Sequence, residues 1–502
     1  MNVLLVNTNV THCGRSGYGP TPAPAGLISL AGVLRRRRHA VRIAQLHQHV
    51  LVQDEDDLPL ARAEVAALLE GYEPDLIGIS ARNLGAARRP FNPFHLAQYY
   101  SAFYDARAAR AFRAVCRAPI VFGGTAFSIQ PGLYMRLAQP DYGLVGEAED
   151  TLPALAESLA CGAVASGIGG LIRGAGETND VACARVESLE SIGVGACDAL
   201  DDFRGEYYLQ GGFAPIQTKR GCPMKCIYCT APRLEGTAYR YRPTAHVIQE
   251  MQRYRDTWGV QCFFFADNTF NPPLDHSMEV CDAILTAGLD VEWYAELTPA
   301  CLSEGLCRLM ARSGCIGVTL TPDSCSEAVL RRYGKPFGMA EVRHAIAVLN
   351  KHQIPFEVCL IIGGPGETVE TFYESIGFCT EYLSDRVVRF YDGMIITERC
   401  PAHAIALEEG LIDSSKSYDD AVLGNDFEAV AAYTYFFPHV RQGRRELLEL
   451  VERACRQRHW LLTSKDYVAD PATGEFGLAP EIAVAPGIRP WWRGLVRLTA
   501  EA

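Results

Sequence analysis

The stretch Lys219-Arg220-Gly221-Cys222-Pro223-Met224-Lys225-Cys226-Ile227-Tyr228-Cys229 sets three cysteines at C-x3-C-x2-C spacing. A β-like run, Ile216 to Lys219, precedes it, so the thiols fall on the loop after a strand. Downstream the chain alternates short apolar runs with helical stretches. Cys262 to Ala266, Val291 to Ala295, Gly317 to Leu320, Phe356 to Ile362 and Val387 to Tyr391 read as further strands. Six βα units over 213–415 fit a partial parallel barrel, whose chemistry is expected at the strand C-terminal ends.

Upstream lies a second alternation. Val3 to Val6, His39 to Ala44, Asp75 to Ser80, Pro119 to Phe122 and Tyr142 to Val145 read as strands. Leu27, Leu30, Ala31 and Leu34 recur at helical spacing, and Ala106 to Cys116 and Thr151 to Ala160 read as helices. This pattern predicts a doubly wound, Rossmann-like parallel sheet of about five strands over 1–160. Residues 161–212 lose the rhythm, hold short β-like pieces such as Gly170-Leu171-Ile172-Arg173, and read as a linker. Residues 416–502 read as a small, mostly helical domain, with a helix from about Arg444 to Arg456.

Composition narrows the class. The chain has 502 residues, 48% of them hydrophobic, enough for large cores. A net charge of −12 argues against a nucleic-acid partner. Arg35-Arg36-Arg37-Arg38 reads as a solvated helix end, where cations suit the dipole. The start reads as a strand rather than a secretory leader, and no apolar stretch approaches a membrane span, so a cytoplasmic location without membrane partners is expected. With 18 cysteines spread along such a chain, buried free thiols are expected in place of a disulfide framework.

The triad itself has two chemical readings. Structural zinc needs four ligands, and no fourth Cys or His sits at short spacing, although Cys262 or His246 could be brought in by the fold. Three thiolates on a four-iron cluster leave one iron open for a small chelating ligand. The ligand count favours a [4Fe-4S] cluster on Cys222, Cys226 and Cys229.

The triad, with Tyr228 before its last cysteine, resembles the signature of the radical S-adenosylmethionine (SAM) superfamily. That resemblance implies that SAM binds the open iron through its amino and carboxylate groups. It also implies an electron donor such as flavodoxin or ferredoxin. Further pieces are similar at the expected places. Phe264-Phe265-Ala266-Asp267 resembles the stretch that approaches the SAM amino group, although Asp267 could instead cap the next helix. Glu296, after Trp293-Tyr294-Ala295, is a candidate catalytic carboxylate in the barrel interior. Asp323 stands where relatives often carry the Glu of Gly-x-Glu-Ser, which implies a ribose contact. Gly363-Gly364-Pro365-Gly366-Glu367-Thr368 resembles the loop near the adenine, with a plain tight turn as the alternative. Lys335 occupies a familiar position or is a surface lysine.

The N-terminal domain resembles the cobalamin-binding domain of B12-dependent radical SAM enzymes. The resemblance rests on Ala23-Pro24-Ala25-Gly26-Leu27, Ile77-Gly78-Ile79-Ser80-Ala81-Arg82-Asn83, Gly123-Gly124-Thr125 and Gly146-Glu147-Ala148-Glu149. It implies that Arg82, Asn83, Gly123, Gly124, Thr125, Gly146 and Glu147 surround cobalamin, with Arg82 or Asn83 beneath cobalt. The loop after the first strand, Asn7 to Gly14, lacks the Asp-x-His-x-x-Gly pattern that would put His12 on cobalt. The implied activity is methylation of a carbon centre of a small, natural-product-like substrate. Rearrangement without methyl transfer and a non-catalytic corrinoid carrier are the alternatives. Tyr433, Tyr435, Phe436, Phe437, His439, Trp491 and Trp492 are candidates to cap the site or simply to pack a core.

Overall fold

The computed structural model describes residues 1–10, 23–47, 58–82, 101–163, 166–174, 181–200, 213–424, 434–435, 451, 453–455, 460–462, 467–469 and 476–478. Asn83, His12 and the aromatic residues of the C-terminal region named above, apart from the backbone of Tyr435, lie outside them.

The first sheet holds β1 (Asn2–Val10), β2 (Ala40–His47), β3 (Leu76–Ser80), β4 (Ile120–Gly123), β5 (Tyr142–Leu144) and β6 (Leu171–Ile172). Their order is β2-β1-β3-β4-β5-β6, parallel except for β6. The near-continuous apolar run of β1 follows from burial on both faces. Val3 and Leu5 share a core with Leu27, Ile28 and Leu34 of the helix Ala25–Arg36, and Leu4 and Val6 share another with Ala61, Val65 and Phe112. The winding reverses between β1 and β3, and that opens a crevice at the strand C-terminal ends. β6 is a short edge strand inside the β-like piece Gly170 to Arg173.

The basic run at the end of this helix is not simply solvated. Arg35 pairs with Asp198 at 2.5 Å, Arg37 with Glu157 at 3.5 Å, and Arg36 donates to the carbonyls of Ser191, Ile192 and Val194. The run therefore ties the connecting segment 188–198 to the first domain. Carbonyls of an irregular segment need donors, and these guanidinium groups supply them.

The second sheet is wholly parallel. β7 is Ala214–Ile216; β8 (Lys219–Arg220) and β9 (Arg240–Tyr241) leave it as an antiparallel ribbon. β10 (Cys262–Phe265), β11 (Glu292–Leu297), β12 (Cys315–Asp323), β13 (Phe356–Ile362) and β14 (Val387–Asp392) follow. β15 (Met394–Ile395) pairs with β16 (Thr434–Tyr435), and β17 (Trp460–Leu462) closes the order β17-β14-β13-β12-β11-β10-β7. The six expected barrel strands are its central run, and the C-terminal region adds a seventh at the edge. There Trp460 packs on Phe390 with ring centroids 5.6 Å apart.

Strand alternation sorts this sheet into two faces. Phe263, Phe265, Trp293, Ala295, Val318, Leu320, Val358, Leu360, Val388 and Phe390 are buried under the helices. Phe264, Tyr294, Glu296, Thr319, Glu357, Cys359 and Arg389 take the other, lumen face. Burial of each large apolar side chain contributes about 1.5–3 kcal/mol, so the helix-side face holds the barrel together. Polar groups in the lumen satisfy one another: Thr319 donates to Glu357 at 3.0 Å, and Arg389 pairs with Glu357 at 2.9 Å. Among the described residues, no helix is long and apolar enough to cross a membrane.

Candidate active site

The cysteine loop is held mainly by its backbone. Gly221 has φ +91°, and a Cβ there would sit 2.1 Å from the Ala238 carbonyl oxygen, so only glycine fits beside the hairpin. The Gly221 amide donates to Glu235 Oε2 at 2.9 Å, and the Cys222 amide donates to the Gly236 carbonyl at 3.0 Å. Further along, the Ile227 amide donates to the Tyr333 carbonyl at 3.1 Å and the Cys229 amide to the Cys226 carbonyl at 3.1 Å.

Cys222 is buried and Cys226 and Cys229 are half-buried. Burial pushes the Cys229 thiol up to about 11, helped by the neighbouring Cys226 and Cys222; burial also raises Cys222, with Cys226 adding to it. Thiols raised in this way need a cationic partner before they can act as thiolates. Among the described residues, no three His, Cys, Asp or Glu side chains are arranged to hold a single metal ion. The donor set, three soft thiols on one loop, fits an iron–sulfur cluster.

Asp267 lies behind this loop, not in front of it. Its carboxylate accepts from the Thr218 amide (2.7 Å), Thr218 Oγ1 (2.5 Å), the Lys219 amide (3.2 Å) and Lys219 Nζ (3.0 Å). Its side chain is fully buried, so the expected approach to the SAM amino group is corrected: the carboxylate has no exposed surface left. Nor does it cap a helix, since the next one, Leu274–Thr286, begins after Pro273. The same four bonds explain why the expected strand Ile216 to Lys219 splits, with Lys219 turning away into β8.

Asp323 ends β12 at φ +67°, a left-handed conformation that Asp tolerates better than most residues. Its carboxylate accepts from Tyr228 Oη and from Lys335 Nζ, and Lys335 also donates to Tyr228 Oη at 2.8 Å. Lys335 is therefore a buried residue, and its surface alternative is excluded. Burial would lower its pKa, but Asp323 and the nearby cysteines hold it raised. Tyr228, between two cluster cysteines, is raised well above its ordinary value by burial and by Asp323. This arrangement commits Asp323 Oδ2 to protein partners, which competes with the ribose contact implied for it.

Gly363, Gly364 and Pro365 follow β13. A Cβ on Gly364 would meet Tyr333 Oη at 2.1 Å, and the Tyr333 carbonyl is the one that holds Ile227. One tyrosine thus joins this loop to the cysteine loop. Glu367 accepts from the Gly363 amide, and burial pushes its carboxyl up to about 8. Glu296 stands exposed between the buried Ala295 and Leu297, on the lumen face, with its carbonyl fixed by the Phe270 amide at 2.8 Å.

At the C-terminal ends of β1, β3, β4 and β5 lies a cavity of about 360 Å³. Gly26, Gly78, Gly123, Gly124, Thr125 and Gly146 line it from the first domain, and Arg82 stands exposed at its edge. Pro215, Gln217, Arg220, Arg242 and Ala266 line it from the barrel. A Cβ on Gly26 would meet nothing within 4 Å, and one on Gly123 only the Leu144 carbonyl oxygen at 3.8 Å. These glycines leave the space that a broad, flat ligand would fill, and so the residues fit a corrin. Gly146 has another duty: at φ +97° its Cβ would sit 2.3 Å from the Ala184 carbonyl oxygen, where a connecting segment crosses. Glu147 lines the same cavity with its carboxylate held in place: both its oxygens bond Arg240 and one accepts from the Val186 amide. Arg220 and Arg240 escaped the sequence reading. The only signal was a pair of cations, Lys219-Arg220, set at a strand end where burial would demand carboxylates.

Known proteins match both halves of this site. Residues 16–156 match the B12 binding domain family, and residues 216–379 match the Radical SAM superfamily. An uncharacterized methyltransferase of Pyrococcus horikoshii is 25% identical over 415 residues, covering 81% of this chain and 84% of its own length. The tryptophan 2-C-methyltransferase of Streptomyces laurentii is 24% identical over 442 residues, covering 74% of this chain and 69% of its own. Among solved structures, the radical SAM methyltransferase TsrM of Kitasatospora setae, with cobalamin and a [4Fe-4S] cluster bound, shares the fold. Its TM-score is 0.72 at 21% identity, over 100% of this chain and 98% of that one. The two families in one chain imply a cofactor set of cobalamin, a [4Fe-4S] cluster and SAM. A cavity walled jointly by a B12-binding domain and by the cysteine hairpin of a radical SAM barrel is the arrangement such a chain requires, and the protein belongs to the cobalamin-dependent radical SAM methyltransferase family.

Proposed function

We propose that this enzyme methylates a carbon centre of a small, natural-product-like substrate held between the cysteine loop and the cobalamin cavity. The observation that carries the reading is the shared wall: Gln217 and Arg220, just before Cys222, line the same cavity as Gly123, Gly124 and Thr125. When bound, the cluster with SAM supplies radical-forming chemistry and cobalamin supplies the methyl group.

The chain's own residues place and shield the reaction. Cys222, Cys226 and Cys229 hold the cluster. Tyr228, clamped by Asp323 and Lys335, fixes the loop between the last two cysteines. Gly363, Gly364 and Pro365 let backbone approach the SAM adenine. Glu296, exposed on the lumen face, meets the substrate or SAM from the barrel side and is the candidate catalytic carboxylate. Arg82 stands at the cavity edge. A guanidinium keeps its proton and does not ligate a metal, so Arg82 beneath cobalt would leave that face without a protein ligand. Electrons come from a donor such as flavodoxin or ferredoxin, in the cytoplasm.

Anaerobic reconstitution with iron, sulfide and hydroxocobalamin tests the proposal. Bound cobalamin in near 1:1 ratio, about four irons per chain, and methylated product with a candidate substrate are expected. A chain that takes up iron but no cobalamin refutes the methyltransferase reading and leaves the radical SAM barrel.

A further inference from the structure

Arg220 lies on β8, two residues before Cys222, and is 8% exposed. Its guanidinium reaches across to the other domain. Nη2 donates to Glu149 Oε1, Nη1 lies 3.5 Å from Glu147 Oε2, and Nε donates to Gln217 Oε1 at 2.8 Å. On the paired strand β9, Arg240 grips both oxygens of Glu147. Ser29, on the first helix, donates to Glu149 at 3.1 Å. Burial alone would raise Glu149, but Arg220 holds it below the usual carboxylate range. Two arginines of the cluster hairpin thus meet two glutamates of the loop after β5, and all four are largely withdrawn from water.

Such a network is a poor way to add stability. Desolvation of buried ions offsets their attraction, and apolar residues of similar volume would hold two domains together as well. A planar, forked cation between two carboxylates supplies what apolar packing does not, a fixed distance and orientation. Glu147, Glu149 and Arg220 also line the cofactor cavity. The same side chains therefore wall one cofactor and anchor the loop that holds the other.

We infer that Arg220 is a positioning residue: clamped by Glu149 and Glu147, it sets the register between the cluster loop and the cobalamin cavity. The inference rests on the two-cofactor reading proposed above. It extends that reading by assigning the inter-cofactor geometry to one inter-domain ion network.

The test uses the full chain reconstituted with cluster and cobalamin, without substrate. Pulsed electron paramagnetic resonance measures the distance between the reduced cluster and cob(II)alamin. Wild type should give one narrow distance distribution. Arg220→Met and Glu149→Gln should broaden or shift it, with iron and cobalamin per chain within twofold of wild type. Arg220→Lys keeps the charge but loses the fork and should fall between. A merely structural role would lower the melting temperature or the cofactor content and leave the distance in loaded molecules unchanged, and that result overturns the inference. Should Arg220→Met fail to load, the nearly isosteric Glu149→Gln decides alone by the same criterion. Wild type that binds no cobalamin refutes the two-cofactor reading itself, a failure visible before any variant is made.

Discussion

Replacing Asp267 by Asn separates two roles for this carboxylate. In the structure it accepts four hydrogen bonds from Thr218 and Lys219, and the Lys219 ammonium is 2% exposed, with the Phe270 carbonyl, at 2.8 Å, as its one other acceptor among the described residues. The Asn side chain keeps one acceptor oxygen and turns a donor toward donors. Breaking a buried ion pair from one side costs about 3–5 kcal/mol, a large share of the 5–15 kcal/mol typical of a domain. Lys219→Met should be milder, about 1–3 kcal/mol, because three donors remain on Asp267. The double variant should recover much of the loss, with a coupling of about 2 kcal/mol. Urea unfolding of the cluster-free protein measures this. Trp293 is a suitable fluorophore, since it is buried against Phe265 and Phe270 at ring distances of 5.0 and 5.2 Å. Iron uptake should fall with stability, because Lys219 leads directly into the cysteine loop. A direct SAM contact would give the opposite pattern, with unchanged unfolding and weakened SAM binding. Unfolding of Asp267→Asn within about 1 kcal/mol of wild type, or losses that simply add in the double variant, would refute the clamp.

Glu367 should make stability fall as pH rises. Its carboxyl is raised to about 8 in the fold, so between about 4.5 and 8 the native state holds a proton that the unfolded state has lost. The stabilisation is full below the lower value and gone above the higher one, a change on the order of 5 kcal/mol that Glu367→Gln should remove from the pH–stability profile. Gly364→Ala should displace the loop after β13, since its Cβ would fall 2.1 Å from Tyr333 Oη; SAM affinity measured by calorimetry on the reconstituted protein should drop at least tenfold. Arg36→Ala removes donors from the carbonyls of Ser191, Ile192 and Val194 and should speed limited proteolysis within 188–198 several-fold, while a surface substitution such as Arg62→Ala should not.

What the sequence disclosed and what it hid divide along a physical line. Strands buried on one or both faces are written as local apolar runs, so all six barrel strands and the five parallel strands of the first sheet were legible within a few residues. β17 was not, because Trp460–Leu462 is too short to show a period and owes its state to the strand beside it. The cysteine triad was legible because ligand spacing on one loop is also local. Polar roles were misread wherever they depend on a distant partner. Asp267 looked like a ligand-facing residue because its neighbours in sequence suggest a strand end. Its fate is decided by Lys219, 48 positions earlier, which turns it toward the back of the loop. Lys335 stood open between a familiar position and a surface lysine, and Asp323 and Tyr228, 12 and 107 positions away, decide against the surface.

The same line explains why the residues joining the two cofactor regions left so faint a signal. Glu149 and Arg220 are 71 positions apart, and nothing in the local stretch around either points to the other. A buried charge is stable only with its partner, so each of the two is intelligible only once the domains are docked. The cluster loop and the cavity could thus be recognised separately from local sequence, but their mutual placement could not. Methyl transfer to a carbon between two cofactors depends on that placement more than on either site alone, since a misplacement of about 1 Å can cost about a hundredfold in rate. The part of this enzyme least visible in its sequence is therefore the part on which its rate should depend most steeply. Substitutions at Arg220 and Glu149 should leave each cofactor bound and still impair the joint reaction.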